Sequence, residues 1–537
     1  MMLRIGNTSA DASWPVWDES SLRRLERDAA ASLAAHSLMR RAGEAVARLA
    51  RARFAHARNI AVLCGPGNNG GDGLFAAAEL ARHGLRVDVL MVACGAPSRW
   101  QDRERPADWL WALGQARQAG LRPRGWSPSE AAAALRDAEL VIDALLGLGL
   151  NRPPQGELGE AIAGILASGI PALAVDLPSG LAADTGTAPG AVVRAEVTLT
   201  MLGLKPGVLT GPDAHACGEL WLDDLDARPA QAVEGFAAAA TRLGPATARR
   251  GLPRISAAAH KGERGDVRVF GGSTGMSGAA RLCAQAALAL GAGRVFVALL
   301  DPSAPMLDPT HPELMQRQPD ALLQQAQSTP QHGGTCHVFG PGAGSGPDAL
   351  RLLQDLIALD APLVIDADGL NLLATQPRDG AIWQALRRRG HSVWLTPHPR
   401  EAARLLQWET SRVQADRLHA ARALAASSAA HCVLKGAGSV VASATGPIWI
   451  NASGNGLLAT AGTGDVLAGA LAAFLAQTPA AHAVAAACAA VWLHGAGADL
   501  AQAEGAGLRA GNLPGWMLRA WEQTRAPSDA ARMPDTT

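Results

Sequence analysis

A chain of 537 residues in which 48% are hydrophobic and 18% charged holds enough apolar material for large packed cores and too little charge for disorder. At about 150 residues per domain it has room for three or four domain-sized units, fewer if they are α/β folds. Lys plus Arg and Asp plus Glu both number 48, so no net field gathers nucleic acid or an anionic membrane surface, and small neutral partners fit better.

The seven cysteines (Cys64, Cys94, Cys217, Cys283, Cys336, Cys432, Cys488) stand singly and never as a CxxC pair, which argues for a reducing compartment and against a zinc site or a disulfide framework. The stretch MMLRIGNTSADASWPVWDES lacks the apolar core of a signal peptide. The longest apolar run, near residues 483 to 493, falls short of the ~20 residues that span a bilayer. The expectation is a soluble, cytoplasmic protein with neither a membrane nor a nucleic-acid partner.

In chain order, residues 20 to 50 show helical apolar spacing, with Ser20 or Ser21 as the cap. NIAVLCGPG then reads as a buried strand, LFAAAELARHG as a helix ending at Gly84, and LRVDVLMV as a second strand, together a βαβ unit. ELVIDALLGLG and IPALAVDLPSG repeat the plan, each with an aspartate where the strand should end. Between about 226 and 255 the alternation gives way to an Ala-, Arg- and Pro-rich stretch, the best candidate for a linker, with a middle that also suits a helix. After it DVRVFGGS, RVFVALL, CHVFGPG, PLVIDADG, SVWLTPHP and CVLKGAG each end in Gly, Asp, His or Lys. The expected organisation is two α/β domains in series, over residues 1–235 and 245–537.

In parallel α/β sheets ligands bind beyond the carboxyl ends of the strands, which makes the strand-end loops the places to search. GPGNNGGDG, residues 65 to 73, holds five glycines that suit neither helix nor strand interior, each costing roughly 0.5–1 kcal/mol relative to alanine. As a loop opening a helix, it would converge backbone N–H groups on a ligand. Its spacing matches neither G-x-G-x-x-G nor a Walker A loop. Asp143 in VIDALLGLG and Asp176 with Ser179 in VDLPSG end two further strands. For either aspartate alone a helix cap is the better reading. Three polar loops at successive strand ends, however, form a site. Lys205 follows another strand-like run, and a lone lysine there is more often a solvated charge.

GPGNNGGDG, LMRRAG (38 to 43), DALLGLG and DLPSG with a following TG together resemble the NAD(P)HX epimerase domain, over roughly residues 15 to 230. The resemblance implies a Rossmann-like three-layer fold that interconverts the epimers of hydrated NADH and NADPH. It implies that Asn68, Asn69, Gly70, Gly71 and Asp72, together with Gly147, Leu148, Gly149, Leu150, Asn151, Arg152 and Pro153, line the substrate. Asp176 contacts the hydrate as the acid/base group, and Asn69, Asp143 and Ser179 hold a potassium ion, for which oxygen donors are chemically apt. The chain departs from the family at Ala182, usually aspartate, and at Met201, usually phenylalanine.

In the second half NGLLATAGTGDVLAGALAAFLAQ is the most informative segment. A glycine-rich loop directly before a long apolar helix points backbone N–H groups at a phosphate, and Asp465 within it is placed to take a proton from an approaching hydroxyl. Taken alone, Asp465 also suits a helix cap, a reading that KGAG and TPHP alongside weaken, and His398, between two prolines, suits a turn residue. No histidine triad suggests a metal. HKG near the start, GGS, TPHP-x-E, KGAGS and AGTGDVLAG resemble the ribokinase-like NAD(P)HX dehydratase across about residues 255 to 520. The resemblance implies that Lys435, Gly436, Ala437, Gly438, Ser439 and Gly464 bind the adenine nucleotide, while Ala279, Gly342 or Gly344, His398 and Asp465 face the hydrate. It further implies ADP as co-substrate, with Mg2+, NADHX and NADPHX as substrates, and a homo-oligomer. Arg400 stands where the family usually has glycine. The alternative is a vitamin or sugar kinase of ribokinase type fused to a non-catalytic Rossmann-like binding module.

Overall fold

The computed structural model describes residues 2–5, 13–150 apart from 101–104, 152–227, 237–254, 256, 258–328, 334–389 and 393–525. The chain divides into two compact units, Trp14–Ala240 together with the N-terminal strand Met2–Arg4, and the residues from Thr241 onward. All seven cysteines are free and buried.

The first unit is built on an eight-stranded sheet. Its order is Met2–Arg4, Glu219–Asp223, Val197–Met201, Ala172–Val175, Leu140–Ala144, Asn59–Cys64, Arg86–Met91 and Arg124–Gly125. All neighbours are parallel except the first pair. Because side chains alternate across a strand, Val62 and Cys64 enter one core with the helices Ser37–Arg53, Asn68–Arg82 and Ala107–Gln118. Ala61 and Leu63 enter a second core with Pro128–Arg136 and Glu157–Ser168. Two apolar faces make a three-layer fold. The strand order reverses between Asn59–Cys64 and Leu140–Ala144, which opens a crevice at their carboxyl ends.

In the second unit the sheet runs Met315–Gln316, Arg294–Leu299, Asp266–Gly271, Thr335–Phe339, Leu363–Ile365, Val393–Leu395, His431–Leu434, Ser439–Ala442, Trp449–Asn451 and Ala240–Arg242. It is parallel as far as His431–Leu434 and antiparallel on both sides of Ser439–Ala442. Order reverses between Asp266–Gly271 and Thr335–Phe339, so the crevice lies between the loops beginning at Gly272 and Gly340. Val267 and Val269 share one core with Ser277–Ala289, Thr463–Ala476, Ala483–Ala503 and Leu513–Arg525.

Four expectations change. The helix expected over residues 20 to 50 is two helices, Glu19–Ala31 and Ser37–Arg53, broken at His36, whose φ of 65° cannot continue a right-handed helix. The cap of the first is Asp18, whose carboxylate accepts from Ser21 N at 2.7 Å, and not Ser20 or Ser21. The stretch from 226 to 255 is partly folded. Ala240–Arg242 pairs with Trp449–Asn451, and Pro245–Gly251 packs on Ala483–Ala503, while residues 228 to 236 lie outside the described ones. The apolar run near 483 belongs to a longer helix than expected: Ala480–Ala503 is long and apolar enough, by length and composition, to cross a membrane. With 67% of its apolar window buried in the fold, it reads as a core helix.

Candidate functional site

The glycine-rich stretch of the first unit is less of a loop than its composition suggests. The helix Asn68–Arg82 begins inside it, so Gly70, Gly71 and Gly73 are helical. Close approach explains them. A Cβ at Gly65 would overlap the carbonyl oxygen of Leu145, one at Gly70 that of Gly65, and one at Gly73 the methyl of Ala144. The helix is thus seated directly on the two strand ends that flank the crevice, which no larger residue permits.

Above the strand ends lies a cavity of about 670 Å³, bordered by Leu22, Glu26, Asn69, Asp72, Asp176 and Lys205 among others. Asp176 takes a φ of 68°, rare for a residue with a side chain, and only 9% of it is exposed. Its carboxylate accepts from Met201 N at 3.0 Å and pairs with Lys205 Nζ. Lys205, expected to be solvated, is only 1% exposed and also donates to Thr200 Oγ1 and the Met201 carbonyl, each at 2.9 Å. A buried ammonium persists only with such a set of acceptors. Met201 lines the cavity and its backbone holds both partners.

Asp143 is fully buried one residue before its strand ends. Ser179 donates to it twice, from Oγ at 2.6 Å and from N at 2.8 Å, and Leu145 N lies 3.3 Å away. Burial pushes the Asp143 carboxyl up to about 6 in spite of these bonds. Ser179 Oγ also accepts from Leu146 N at 2.9 Å. The Asn69 side chain lies against Gly147, and its amide nitrogen is buried with no hydrogen-bond partner among the described residues.

In the second unit Lys435 follows the strand His431–Leu434, and its Nζ sits 2.6 Å from Asp366 Oδ1 at the end of Leu363–Ile365. Burial opposes the Lys435 charge, but Asp366, Glu401 and Asp465 outweigh it and raise its pKa. The Lys435 backbone N donates to the Pro397 carbonyl, which joins KGAGS to TPHP. His398 caps the helix Pro399–Leu406. Its Nδ1 accepts from Arg400 N at 3.0 Å and Glu401 N at 3.4 Å, so the ring proton belongs on Nε2. Glu401 returns the bond to His398 N at 2.8 Å, and burial pushes its carboxyl up to about 7.

Asp465 stands in the first turn of Thr463–Ala476, after Gly462 with a φ of 89°. It makes no hydrogen bond with the described residues, so it is not the helix cap. Burial, then the charge of Asp366, push its carboxyl up to about 7. Gly464 beside it is a close approach, since a Cβ there would lie 3.4 Å from Lys435 Nζ. Across the crevice Ser273 N donates to the Gly342 carbonyl at 2.6 Å, and Gly344 N donates to Asp368 Oδ2 at 2.9 Å.

The sequence profile described as YjeF-related protein N-terminus matches residues 35–207, and that of NAD(P)H-hydrate dehydratase matches residues 267–513. The chain is 36% identical over 465 residues to the bifunctional NAD(P)H-hydrate repair enzyme Nnr of Escherichia coli (strain K12), covering 86% of this chain and 85% of that protein. The chain belongs to the bifunctional NAD(P)H-hydrate repair enzymes. Its identity to the repair enzyme Nnr of Coxiella burnetii is also 36%, over 86% of this chain and 90% of that one. A crystal structure of the ADP/ATP-dependent NAD(P)H-hydrate dehydratase from Bacillus subtilis, co-crystallised with ATP/Mg2+, is 29% identical with a TM-score of 0.43, covering 52% of this chain and 96% of that one.

For this repair enzyme the structure gathers Asn68, Asn69, Asp72, Gly147, Leu148 and Asp176 on the wall of one cavity. Gly70 and Gly71 are buried in the helix behind it, Gly149, Leu150, Arg152 and Pro153 lie off the lining, and Asn151 lies outside the described residues. In the other unit Ala279 and Gly342 meet, Gly344 lies by Ser273, and Lys435, His398 and Asp465 converge with Asp366 and Glu401. Gly436 and Ala437 are exposed in the turn that Gly438 and Ser439 close. Sequence reasoning missed Glu26 and the pairing roles of Lys205 and Asp366. Asp366 at least ends a strand in VIDADG, whereas Glu26 carries no local signal.

Proposed function

We propose that the chain repairs hydrated nicotinamide cofactors in two steps. The first unit interconverts the R and S hydrates of NADH and NADPH, and the second dehydrates the S form at the expense of ADP. The observation that carries this reading is Asp465, a half-buried carboxyl with no hydrogen-bond partner among the described residues, at the start of a helix opened by Gly462. The helix end favours the phosphates, and ionised Asp465 takes the proton of the hydrate hydroxyl as that oxygen attacks the β-phosphorus of ADP. The bond to the α-phosphate breaks and AMP leaves. Loss of inorganic phosphate and a ring proton then restores the nicotinamide.

Mg2+ would neutralise charge on the phosphoryl oxygens. No group of three or more His, Cys, Asp or Glu side chains able to hold a metal ion occurs among the described residues, which supports an ion bound mainly through the nucleotide. In the first unit Asn69, Asp143 and Ser179 would hold potassium. The donor set fits a hard cation, and turning the Asn69 amide over replaces its unpartnered nitrogen with a carbonyl oxygen.

The test incubates the full chain with mixed hydrates and ADP or ATP, following NADH absorbance and the two epimers by chromatography. Conversion of both epimers to NADH with release of AMP from ADP is expected. ATP consumption that leaves a stable phosphorylated product would instead identify a small-molecule kinase.

A further inference from the structure

Glu26 lies on the helix Glu19–Ala31, outside every strand-end loop, and lines the same cavity as Asp176. Its neighbours on that helix are committed elsewhere: Asp18 caps it, and Glu19 holds Arg23 at 2.8 Å. Half-buried Glu26 makes no hydrogen bond or ion pair with the described residues, and Asp72 on the facing lining is equally without one. Burying a carboxyl without a partner costs stability, so an apolar residue would serve packing better at this position.

We propose that Glu26 is a second proton-transferring residue of the epimerisation, working with Asp176 in one cavity. This rests on the reading of the first unit as the epimerase. At C6 of the hydrate, Glu26 gives its proton to the hydroxyl oxygen. The C6–O bond breaks with its electron pair on the departing water, and the ring nitrogen lone pair forms an iminium. Water adds to the opposite face and its proton returns to a carboxylate, so atoms, charge and water balance.

The surroundings divide the two roles. Lys205 Nζ and Met201 N donate to the Asp176 carboxylate, whereas Glu26 has no such donors among the described residues. Burial, then the charge of Asp176, hold the Glu26 carboxyl above the usual range, against the lowering influence of Arg23 and Lys205, with Asp108 adding to the rise. Asp72 is raised by burial and by Asp176, Glu26 and Asp108 in turn. Two carboxyls on one cavity wall, one held by donors and the other without a partner, are placed to act as a base and an acid. A lining rich in carboxyl groups also stabilises a cationic iminium electrostatically.

The experiment compares the full chain with Glu26→Gln, Glu26→Asp and Asp72→Asn, measuring epimerisation of pure R hydrate above the enzyme-free background across pH. S-hydrate dehydration in the same samples is the internal control. Glu26→Gln should lower epimerisation kcat by ~10²–10⁴-fold. It should also abolish the loss of rate that the wild type shows as pH rises and Glu26 ionises, while Glu26→Asp recovers part of the rate and dehydration is unchanged. Near-normal turnover of Glu26→Gln overturns the proposal, as does loss of the alkaline limb in Asp72→Asn alone. Equal loss of both activities with a lowered Tm also overturns it, as a structural role. A wild-type chain that fails to epimerise at all refutes the underlying reading instead.

Discussion

Lys435 Nζ donates to Asp366 Oδ1 at 2.6 Å, joining two strand ends 69 residues apart beneath the helix that carries Asp465. Asp366 is only 1% exposed, so its charge has Lys435 in place of water. Removing one partner strands the other. Asp366→Asn or Lys435→Met alone should destabilise the second unit by about 3–5 kcal/mol, and the double variant by clearly less than the sum. Urea unfolding of the four proteins measures this. A single variant within about 1 kcal/mol of wild type would reduce the pair to the worth of a surface contact.

Asp465 must be ionised to accept a proton, yet its carboxyl is pushed up to about 7. Dehydratase turnover should therefore fall as pH drops below about 7, where the folded state retains the proton. Asp465→Asn should reduce single-turnover dehydration by ~10²–10⁴-fold, as removal of a general base does. Nucleotide binding by calorimetry should survive, because the backbone N–H groups of Gly462 to Gly464 remain, and epimerisation should be unaffected. Near-normal turnover would pass the role to another group such as His398.

What the sequence makes legible are residues whose chemistry is written locally. Asp143, Asp176 and His398 lie at ends of β-rich runs, Asp465 lies in a glycine-rich loop before a long apolar helix, and the two α/β domains follow from the alternation of strands and helices. Partnerships between distant segments are not written locally. Lys205 reads as a solvated charge until pairing of Val197–Met201 with Ala172–Val175 brings it to Asp176. Glu26 belongs to an amphipathic helix whose pattern says only which side is apolar. The glycines of GPGNNGGDG mislead because composition reports conformational cost and is blind to the close approach that makes glycine obligatory there.

The potassium site proposed at Asn69, Asp143 and Ser179 predicts a pH signature. Burial raises Asp143 to about 6, so the folded state holds its proton more tightly than the unfolded chain does, and ionising it costs stability as pH rises from the ordinary carboxylate range through 6. A bound cation offsets that cost only once Asp143 is ionised. Potassium should therefore raise Tm more at pH 8 than at pH 5, relative to tetramethylammonium at equal ionic strength. Asp143→Asn should abolish the difference and impair epimerisation while leaving S-hydrate dehydration intact. An Asp143→Asn protein with unaltered potassium dependence would remove the ion from this site.

The two units should fold as separate fragments if they are cut between residues 227 and 237. Each has its own buried cores, which is the requirement for independent folding. The position of the cut matters. A fragment begun at residue 245 loses Ala240–Arg242, and with it the pairing to Trp449–Asn451, leaving that edge strand without a neighbour on one side. Fragment 237–537 should accordingly be more soluble and have a higher Tm than fragment 245–537, while residues 1–235 should epimerise alone. Circular dichroism melts and gel filtration of the three fragments decide it. If the two halves are soluble only when produced together, the units share a core and the division at residue 240 is wrong.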